Sequence, residues 1–238
     1  MIPPHDPLDG AILVDKPAGP TSHDIVAQIR RTFRLKKVGH AGTLDPAATG
    51  LLIVLLGKGT KLSEKLMSGD KIYEGELKLG QTTDTYDADG EVTSQAEVPA
   101  LDLDALQNVA SSFVGDLLQV PPMHSAIKKE GVPLYKLARQ GVEVERAPRL
   151  VHIYQFKITA FASPLLNFKV ACTKGTYIRS LAHDLGQKLG CGAHLTALRR
   201  THSGDFDIKE ALPIESILQL SELELQKRVV PFLTLSSM

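Results

Sequence analysis

The sequence predicts a fold that mixes strands and helices. Three observations carry the expectation. Two short apolar runs, residues 10–15 (GAILVD) and 51–56 (LLIVLL), are bounded by glycine and have the length of strands. Residues 71–80 (KIYEGELKLG) alternate apolar and polar side chains, as a half-buried strand does. Segments 21–34, 101–114 and 176–189 instead space their apolar residues as amphipathic helices do. These segments alone do not order the strands.

The first run ends at a Lys-Pro-Ala-Gly-Pro turn, residues 16–20. Thr21 or Ser22 then caps a helix with Ile25, Val26 and Ile29 at helical spacing, running to about Arg34. Its bases gather in the last turn, where they suit the helix dipole. The run 51–56 is six apolar residues, the signature of a buried central strand. Gly57-Lys58-Gly59-Thr60 invites a phosphate-loop reading, but Gly50 lies too far back and Gly59 stands where Ser or Thr is needed. Residues 60–67 read as a short helix.

In 71–80, Ile72, Glu74, Glu76 and Lys78 share one face, while Tyr73, Gly75, Leu77 and Leu79 share the other. Tyr73 therefore points into the core or a pocket. Residues 81–90 form an Asp/Thr-rich turn with a passing likeness to a calcium loop. The downstream glutamate of such a loop is missing, and Glu91 is too near. Residues 119–141 differ in texture, mixing Pro, Gly, basic residues and Tyr135. They read either as a surface excursion or as a partner-gripping segment. Two strands follow at 151–162 and 167–173. Thr176 then caps a helix with Ile178, Leu181 and Leu185 inward. An arginine in a helix's first turn opposes the dipole, so Arg179 has some other reason to be there, such as a carboxylate partner. From about residue 208 the chain reads as small helices.

Composition narrows the function classes. The chain has 238 residues, 43% apolar and 23% charged, with no Trp, which suits one large globular domain or two small ones. No apolar run approaches ~18 residues, so no membrane helix is expected. The N-terminus lacks the pattern of a signal peptide. Cys172 and Cys191 are isolated and make no disulfide framework, so free thiols and a cytoplasmic location are expected. The histidines are scattered without ligand spacing, which disfavours a metal site. Net charge is zero, but its distribution is uneven. Residues 79–127 hold eight acids and no Lys or Arg, whereas 30–37 hold five bases and no acid and 128–149 hold six bases. A local positive field is sufficient to meet a polyanion.

Residues 39–50, GHAGTLDPAATG, follow the densest basic run, Arg30, Arg31, Arg34, Lys36 and Lys37. Asp before Pro in a glycine-rich loop is ordinary turn chemistry, and Asp45 is open to that reading. The stretch as a whole, extended to GHAGTLDPAATGLL, resembles the catalytic loop of the TruB family of RNA pseudouridine synthases. Further matches follow in order. ILVDKPAGPTSHDIV (12–26) resembles the family's N-terminal motif, KIYEGELKLGQTTDTYDADG (71–90) its tyrosine-bearing signature, KGTYIRSLAHDLG (174–186) its second motif and CGAHLTALRR (191–200) its third. Residues 119–141 resemble its RNA-clasping thumb loop. The resemblance covers about residues 10–232.

It implies the pseudouridine synthase fold: α+β, with a large mixed, mostly antiparallel sheet flanked by helices and an inserted RNA-clasping thumb loop at about 119–150. One catalytic domain over 1–238 is expected, with a small helical segment from about 208 to 238. Many bacterial members continue into a small RNA-binding PUA-type domain, and none is expected within these residues. The implied activity is isomerisation of uridine to pseudouridine at position 55 in the TΨC loop of tRNA, by base flipping. Asp45 would be the catalytic carboxylate. It would attack the sugar or the base, or remove a sugar proton. Arg179 would pair with Asp45 and favour its charged form. Tyr73 would pack on the base, Leu198 would line its pocket and His40 would support the flipped nucleotide. Arg199 and Arg200 would face phosphate or structural acids. Candidate RNA contacts are Arg30, Arg31, Arg34, Lys36, Lys37, Lys128, Lys129, Lys136, Arg139 and Arg146. The isomerisation has no redox change and needs no energy input, so no cofactor and no metal are expected. A monomer acting alone on tRNA, without guide RNA and away from membranes, is expected. The alternative is an RNA-binding or tRNA-folding protein on the same scaffold.

Overall fold

The computed structural model describes residues 6–125, 127–129, 131–138, 140–142 and 144–238, with backbone only for Lys128, Lys129, Pro133, Tyr135 and Lys136. The chain opens with β1 (Gly10–Lys16), α1 (Ser22–Thr32), β2 (Val38–Ala41), β3 (Thr49–Leu56), a 3-10 turn (Gly57–Leu62) and α2 (Ser63–Met67). It continues with β4 (Lys71–Leu79), β5 (Gln81–Thr83), β6 (Val92–Gln95), α3 (Leu103–Ser111), β7 (Gly115–Gln119), β8 (Lys128–Lys129), β9 (Val132–Pro133) and α4 (Leu134–Ala138). Next come β10 (Arg149–Ala162), β11 (Leu165–Cys172), α5 (Ile178–Lys188), β12 (Ala193–Ser203) and β13 (Phe206–Asp207). The end holds β14 (Leu212–Pro213), α6 (Ile214–Ile217), α7 (Glu222–Arg228), β15 (Val230–Pro231) and α8 (Phe232–Ser237). None of these helices is long and apolar enough to cross a membrane.

The chain forms two compact units, residues 1–73 with 199–238, and residues 74–198. Strands β4 and β12 each run from one unit into the other. In the first unit the strand order is β14–β1–β3–β12–β4, with β15 on β1, β2 on β3 and β13 on β12. Pairing is antiparallel for β1 with β3, β2 with β3 and β12 with β13, and parallel for β1 with β14 and β3 with β12. Every residue of 51–56 on β3 is fully buried, so both faces of the strand are covered, which is why the run is uniformly apolar. The first unit's core gathers Leu13, Leu51, Ile53, Leu55, Phe206 and Leu235, among others.

Helix α1 follows its sequence signals. Thr21 accepts from the Asp24 N–H while Asp24 accepts from the Thr21 N–H, a reciprocal cap. Ile25, Val26 and Ile29 are its buried apolar face. The helix stops at Thr32, two residues short of the expected end, because Arg34 turns left-handed (φ 53°).

In the second unit the order is β12–β4–β11–β10–β7, and the β10 pairings with β11 and β7 are antiparallel. Leu77 and Leu79 are buried and Tyr73 is half-buried, as the alternation in 71–80 requires. The Gln107 amide on α3 brackets the β10 backbone, donating to the Phe156 carbonyl at 2.9 Å and accepting from the Ile158 N–H at 2.9 Å. Phe113, Phe156 and Phe168 pack edge to face. Helix α5 buries Ile178, Leu181 and Leu185 as expected. Its cap is Tyr177 rather than Thr176, whose hydroxyl donates back to the Thr173 carbonyl. Strands β2, β7 and β12 were not anticipated. β2 is only four residues inside a glycine-rich stretch, and β12 carries two arginines in mid-strand.

Candidate active site

The loop joining β2 to β3 carries Asp45, and its geometry follows from where the two strands part. Strand β2 pairs β3 over Ile53 to Leu56, while β12 takes Thr49 and Gly50. Between these pairings lies a fork, and the guanidinium of Arg200 fills it. Arg200 is 1% exposed. Its Nε donates to the Leu51 carbonyl (2.8 Å), Nη2 to the Gly42 carbonyl (3.0 Å) and Nη1 to the Thr43 carbonyl (3.4 Å). Three backbone carbonyls around the fork are thus bonded by one side chain. Arg200 therefore meets neither phosphate nor a structural acid, contrary to the sequence expectation. Its neighbour Arg199 does meet an acid: both terminal nitrogens grip Asp15, at 3.0 and 2.7 Å.

Asp45 itself is exposed, while the residues on either side of it are pinned. The Ser22 hydroxyl, buried at the start of α1, accepts from the Leu44 N–H (2.9 Å) and donates to the Leu44 carbonyl (3.1 Å). The Pro46 carbonyl accepts from the Gly19 N–H (2.9 Å) and from Lys16 Nζ (3.1 Å). Asp45 closes its own turn by accepting from the Ala48 N–H at 3.1 Å. A carboxylate is thereby presented on a loop held at both shoulders, the preorganisation that chemistry on a substrate requires.

Lys16 is fully buried and also donates to the Pro17 carbonyl at 2.8 Å. Burial brings its pKa down to about 8, against the opposing pull of the Asp45 charge. His40, on β2, is half-buried and meets the His23 ring edge-on, with centroids 5.6 Å apart. Burial first, then the nearby His23 and Arg200, lowers the pKa of His40 and favours the neutral imidazole. Tyr73 lies half-buried on β4. Sequence reasoning missed the clamping roles of Lys16, Ser22 and Arg200. Lys16 and Ser22 were read only as turn and cap residues, and no local pattern marks an arginine that spends itself on main-chain carbonyls.

Arg179 and Leu198 lie in the second unit, and Leu198 is half-buried on β12. Arg179 is 6% exposed, and its position early in α5 against the dipole is explained by acceptors. Nη2 donates to the His124 carbonyl (2.8 Å), Nη1 donates to the Thr85 carbonyl (3.1 Å), and Nη1 stands 3.4 Å from the Asp87 carboxylate. Asp87 also accepts from the Thr85 hydroxyl (2.5 Å) and the Asp89 N–H (3.1 Å), and Asp84 accepts from the Glu91 N–H (2.9 Å). The acidic turn 84–90 is therefore bound to itself and to Arg179. At its apex Tyr86 is left-handed (φ 64°), and its ring stacks on His183 of α5 at 4.0 Å.

Arg30, Arg31, Arg34, Lys36 and Lys37 are exposed at and just after the end of α1. Arg146 is half-buried. Arg139 and the side chains of Lys128, Lys129 and Lys136 lie outside the described residues.

Comparison with known proteins gives concordant matches. Residues 30–178 match the TruB family pseudouridylate synthase (N terminal domain), and residues 179–234 match the tRNA pseudouridylate synthase B C-terminal domain. The tRNA pseudouridine synthase B of Opitutus terrae is 54% identical over 231 residues, covering 97% of this chain and 96% of that protein. That of Syntrophotalea carbinolica is 53% identical over 210 residues, covering 88% and 69%. Among solved structures, a Cbf5-Nop10-Gar1 complex superposes with a TM-score of 0.77 at 30% identity, covering 96% of this chain and 62% of the matched one. A likeness to an H/ACA RNP bound to a substrate RNA containing 2'-deoxyuridine has a TM-score of 0.72 at 27% identity.

Proposed function

The chain belongs to the TruB family of pseudouridylate synthases, and from that premise we propose that it isomerises uridine to pseudouridine in tRNA, at position 55 of the TΨC stem-loop. The observation that carries the proposal for this chain is Asp45, an exposed carboxylate between residues clamped on both sides. The reaction breaks the C1′–N1 bond and joins C1′ to C5; the C5 proton leaves to solvent and the freed N1 takes one up. One positioned carboxylate begins it, by attack on sugar or base or by removing a sugar proton.

In this reading the uridine is flipped out of the RNA loop, at a cost of a few kcal/mol in stacking. Tyr73 offers an aromatic face and Leu198 an apolar wall in return. His40 supports the flipped nucleotide, and Arg179 serves as the counter-charge of Asp45. The family resemblance supports these four roles. Arg30, Arg31, Arg34, Lys36 and Lys37 meet the RNA backbone. Residues 1–238 act as one catalytic module, monomeric and without guide RNA, with about 119–150 as the RNA-clasping segment and a small helical segment from about 208.

The test is tritium release from tRNA transcript labelled with 5-³H-uridine, with EDTA present and no added cofactor. Wild type should release tritium and no free uracil. Asp45→Asn should release none while still binding tRNA. Free uracil would instead indicate a hydrolytic glycosylase. Binding without release by wild type would indicate an RNA-folding protein.

A further inference from the structure

We propose that the stacked rings of Tyr86 and His183 are a positioning device for the reaction: they fix the acidic turn 84–90 against α5 and so aim the guanidinium of Arg179. This rests on the reading that Arg179 serves as the counter-charge of Asp45, and goes beyond it by naming what aims that arginine. Arg179 and His183 are four residues apart and share one face of α5. Both reach the same turn, and all of these residues belong to the second unit. Arg179 Nη1 donates to the Thr85 carbonyl (3.1 Å) and stands 3.4 Å from the Asp87 carboxylate. The residue between these two acceptors is Tyr86. Its ring lies on His183 with centroids 4.0 Å apart and planes 20° apart. A shift of Tyr86 therefore moves both acceptors at once. The 3.4 Å separation exceeds the ordinary hydrogen-bond range, so the ion pair supplies attraction without direction. The direction comes from where the turn is held.

Tyr86 adopts a backbone conformation that its side chain disfavours. Its φ is 64°, in the left-handed region, where tyrosine carries a conformational cost that glycine does not. The Tyr86 N–H donates to the Thr83 carbonyl (3.3 Å), and the Leu195 N–H donates to the Tyr86 carbonyl (3.0 Å). Those bonds use main chain alone, and glycine would make them with less strain. What tyrosine adds is the ring, and the ring is laid on His183. Strain of this kind persists where the surroundings demand it.

The partner ring is committed in the same way. His183 Nδ1 is buried and has no hydrogen-bond partner among the described residues. Burial lowers the pKa of His183, against the opposing pull of the Asp184 charge, and favours the neutral imidazole. Its buried nitrogen does not locate the ring; the face laid on Tyr86 does.

The experiment measures single-turnover tritium release at saturating TΨC stem-loop RNA, RNA affinity and thermal melting. The proteins are wild type, Tyr86→Gly, Tyr86→Phe and His183→Ala, each also made in an Arg179→Lys background. Tyr86→Gly should slow release about tenfold, less than the ~10²-fold expected of about 1 Å of misplacement. Its RNA affinity and melting temperature should stay close to wild type, since the left-handed ease of glycine offsets the lost stack. His183→Ala should slow release to the same level, and the two substitutions together no further, because they remove one contact. Tyr86→Phe, which restores the ring, should restore the rate. In the Arg179→Lys background Tyr86→Gly should slow release no further, because its route to the reaction is Arg179. An unchanged rate in Tyr86→Gly, beside an active wild type, overturns the positioning role alone. A slow Tyr86→Phe assigns the effect to the hydroxyl and overturns it. A fall in rate matched by weaker RNA binding makes Tyr86 an RNA contact and overturns it. A fall that tracks a lower melting temperature and adds in full to that of Arg179→Lys makes the stack structural and also overturns it. Full turnover in Arg179→Lys, or no release by folded wild type, strikes the reading of Arg179 or of the activity, and the positioning role falls with either.

Discussion

The ammonium of Lys16, fully buried, donates to the carbonyl of Pro46, the residue after Asp45, at 3.1 Å. Burial lowers its pKa from the usual 10.5 to about 8. Between those values the unfolded chain binds a proton that the folded chain has released, so folding becomes more favourable as pH rises from about 8 to 10.5. Below about 8 that contribution is absent. Denaturant titrations should therefore show wild type gaining stability relative to Lys16→Met across this window. Parallel curves would show that Lys16 titrates as it does in water. Lys16→Met should also slow turnover, since the Pro46 carbonyl loses one of its two donors.

Arg200 satisfies three carbonyls where the strands part, so its loss leaves buried acceptors without partners. Each costs about 1–3 kcal/mol. Arg200→Met should destabilise the fold by about 3 kcal/mol in chemical denaturation. Arg200→Lys keeps the charge but lacks the guanidinium fork that reaches three acceptors at once. It should fold and yet turn over about 10²-fold more slowly, the scale of loss expected from about 1 Å of misplacement at Asp45. Normal turnover in Arg200→Lys would show that the loop holds its shape without the fork.

Gly50 marks where β3 leaves the Asp45 loop, with φ at 100°. A Cβ there would stand 2.3 Å from the Arg200 carbonyl oxygen and 2.8 Å from its nitrogen. Both are backbone atoms of the paired strand and cannot swing aside. Gly50→Ala should cost about 3 kcal/mol or more, combining steric overlap with a left-handed residue. A melting temperature close to wild type would contradict the strand register.

Local signals in the sequence reach some of this architecture. A helix cap at Thr21 or Ser22, the apolar run 51–56 and the alternation in 71–80 each depend on neighbours a few residues away, and each appears in the fold, with Thr21 as the cap. The Asp45 loop was legible as a motif. The side chains that hold it were not, because Ser22 and Arg200 act across 22 and 158 residues. Arg179 was singled out by its conflict with the helix dipole. Its acceptors at Thr85 and His124 lie 94 and 55 residues back, beyond any periodicity. Strand β12 escaped notice because its two adjacent mid-strand arginines interrupt the apolar pattern of a strand; one pairs with Asp15 and the other fills the fork.

His40 separates two roles by magnitude. A group that transfers a proton in the rate-limiting step contributes about 10²–10⁴-fold. His40 is held neutral by burial and by His23 and Arg200 nearby, which suits packing against a nucleotide. His40→Ala should therefore slow tritium release by about tenfold, well short of Asp45→Asn. The same lowered pKa sets an acid limit on the fold. Below the usual 6.5 the unfolded chain takes up a proton that folded His40 refuses, so stability present above 6.5 is lost as pH falls through the folded value. His183, half-buried and stacked on Tyr86, acts with the same sign, because burial lowers its pKa. Stability measured from pH 7 to 5 should fall in wild type, less steeply in His40→Gln, and less still when His183→Gln is added. A slope unaltered by either substitution would place the acid sensitivity in other groups and leave His40 without the neutral form that its supporting role requires.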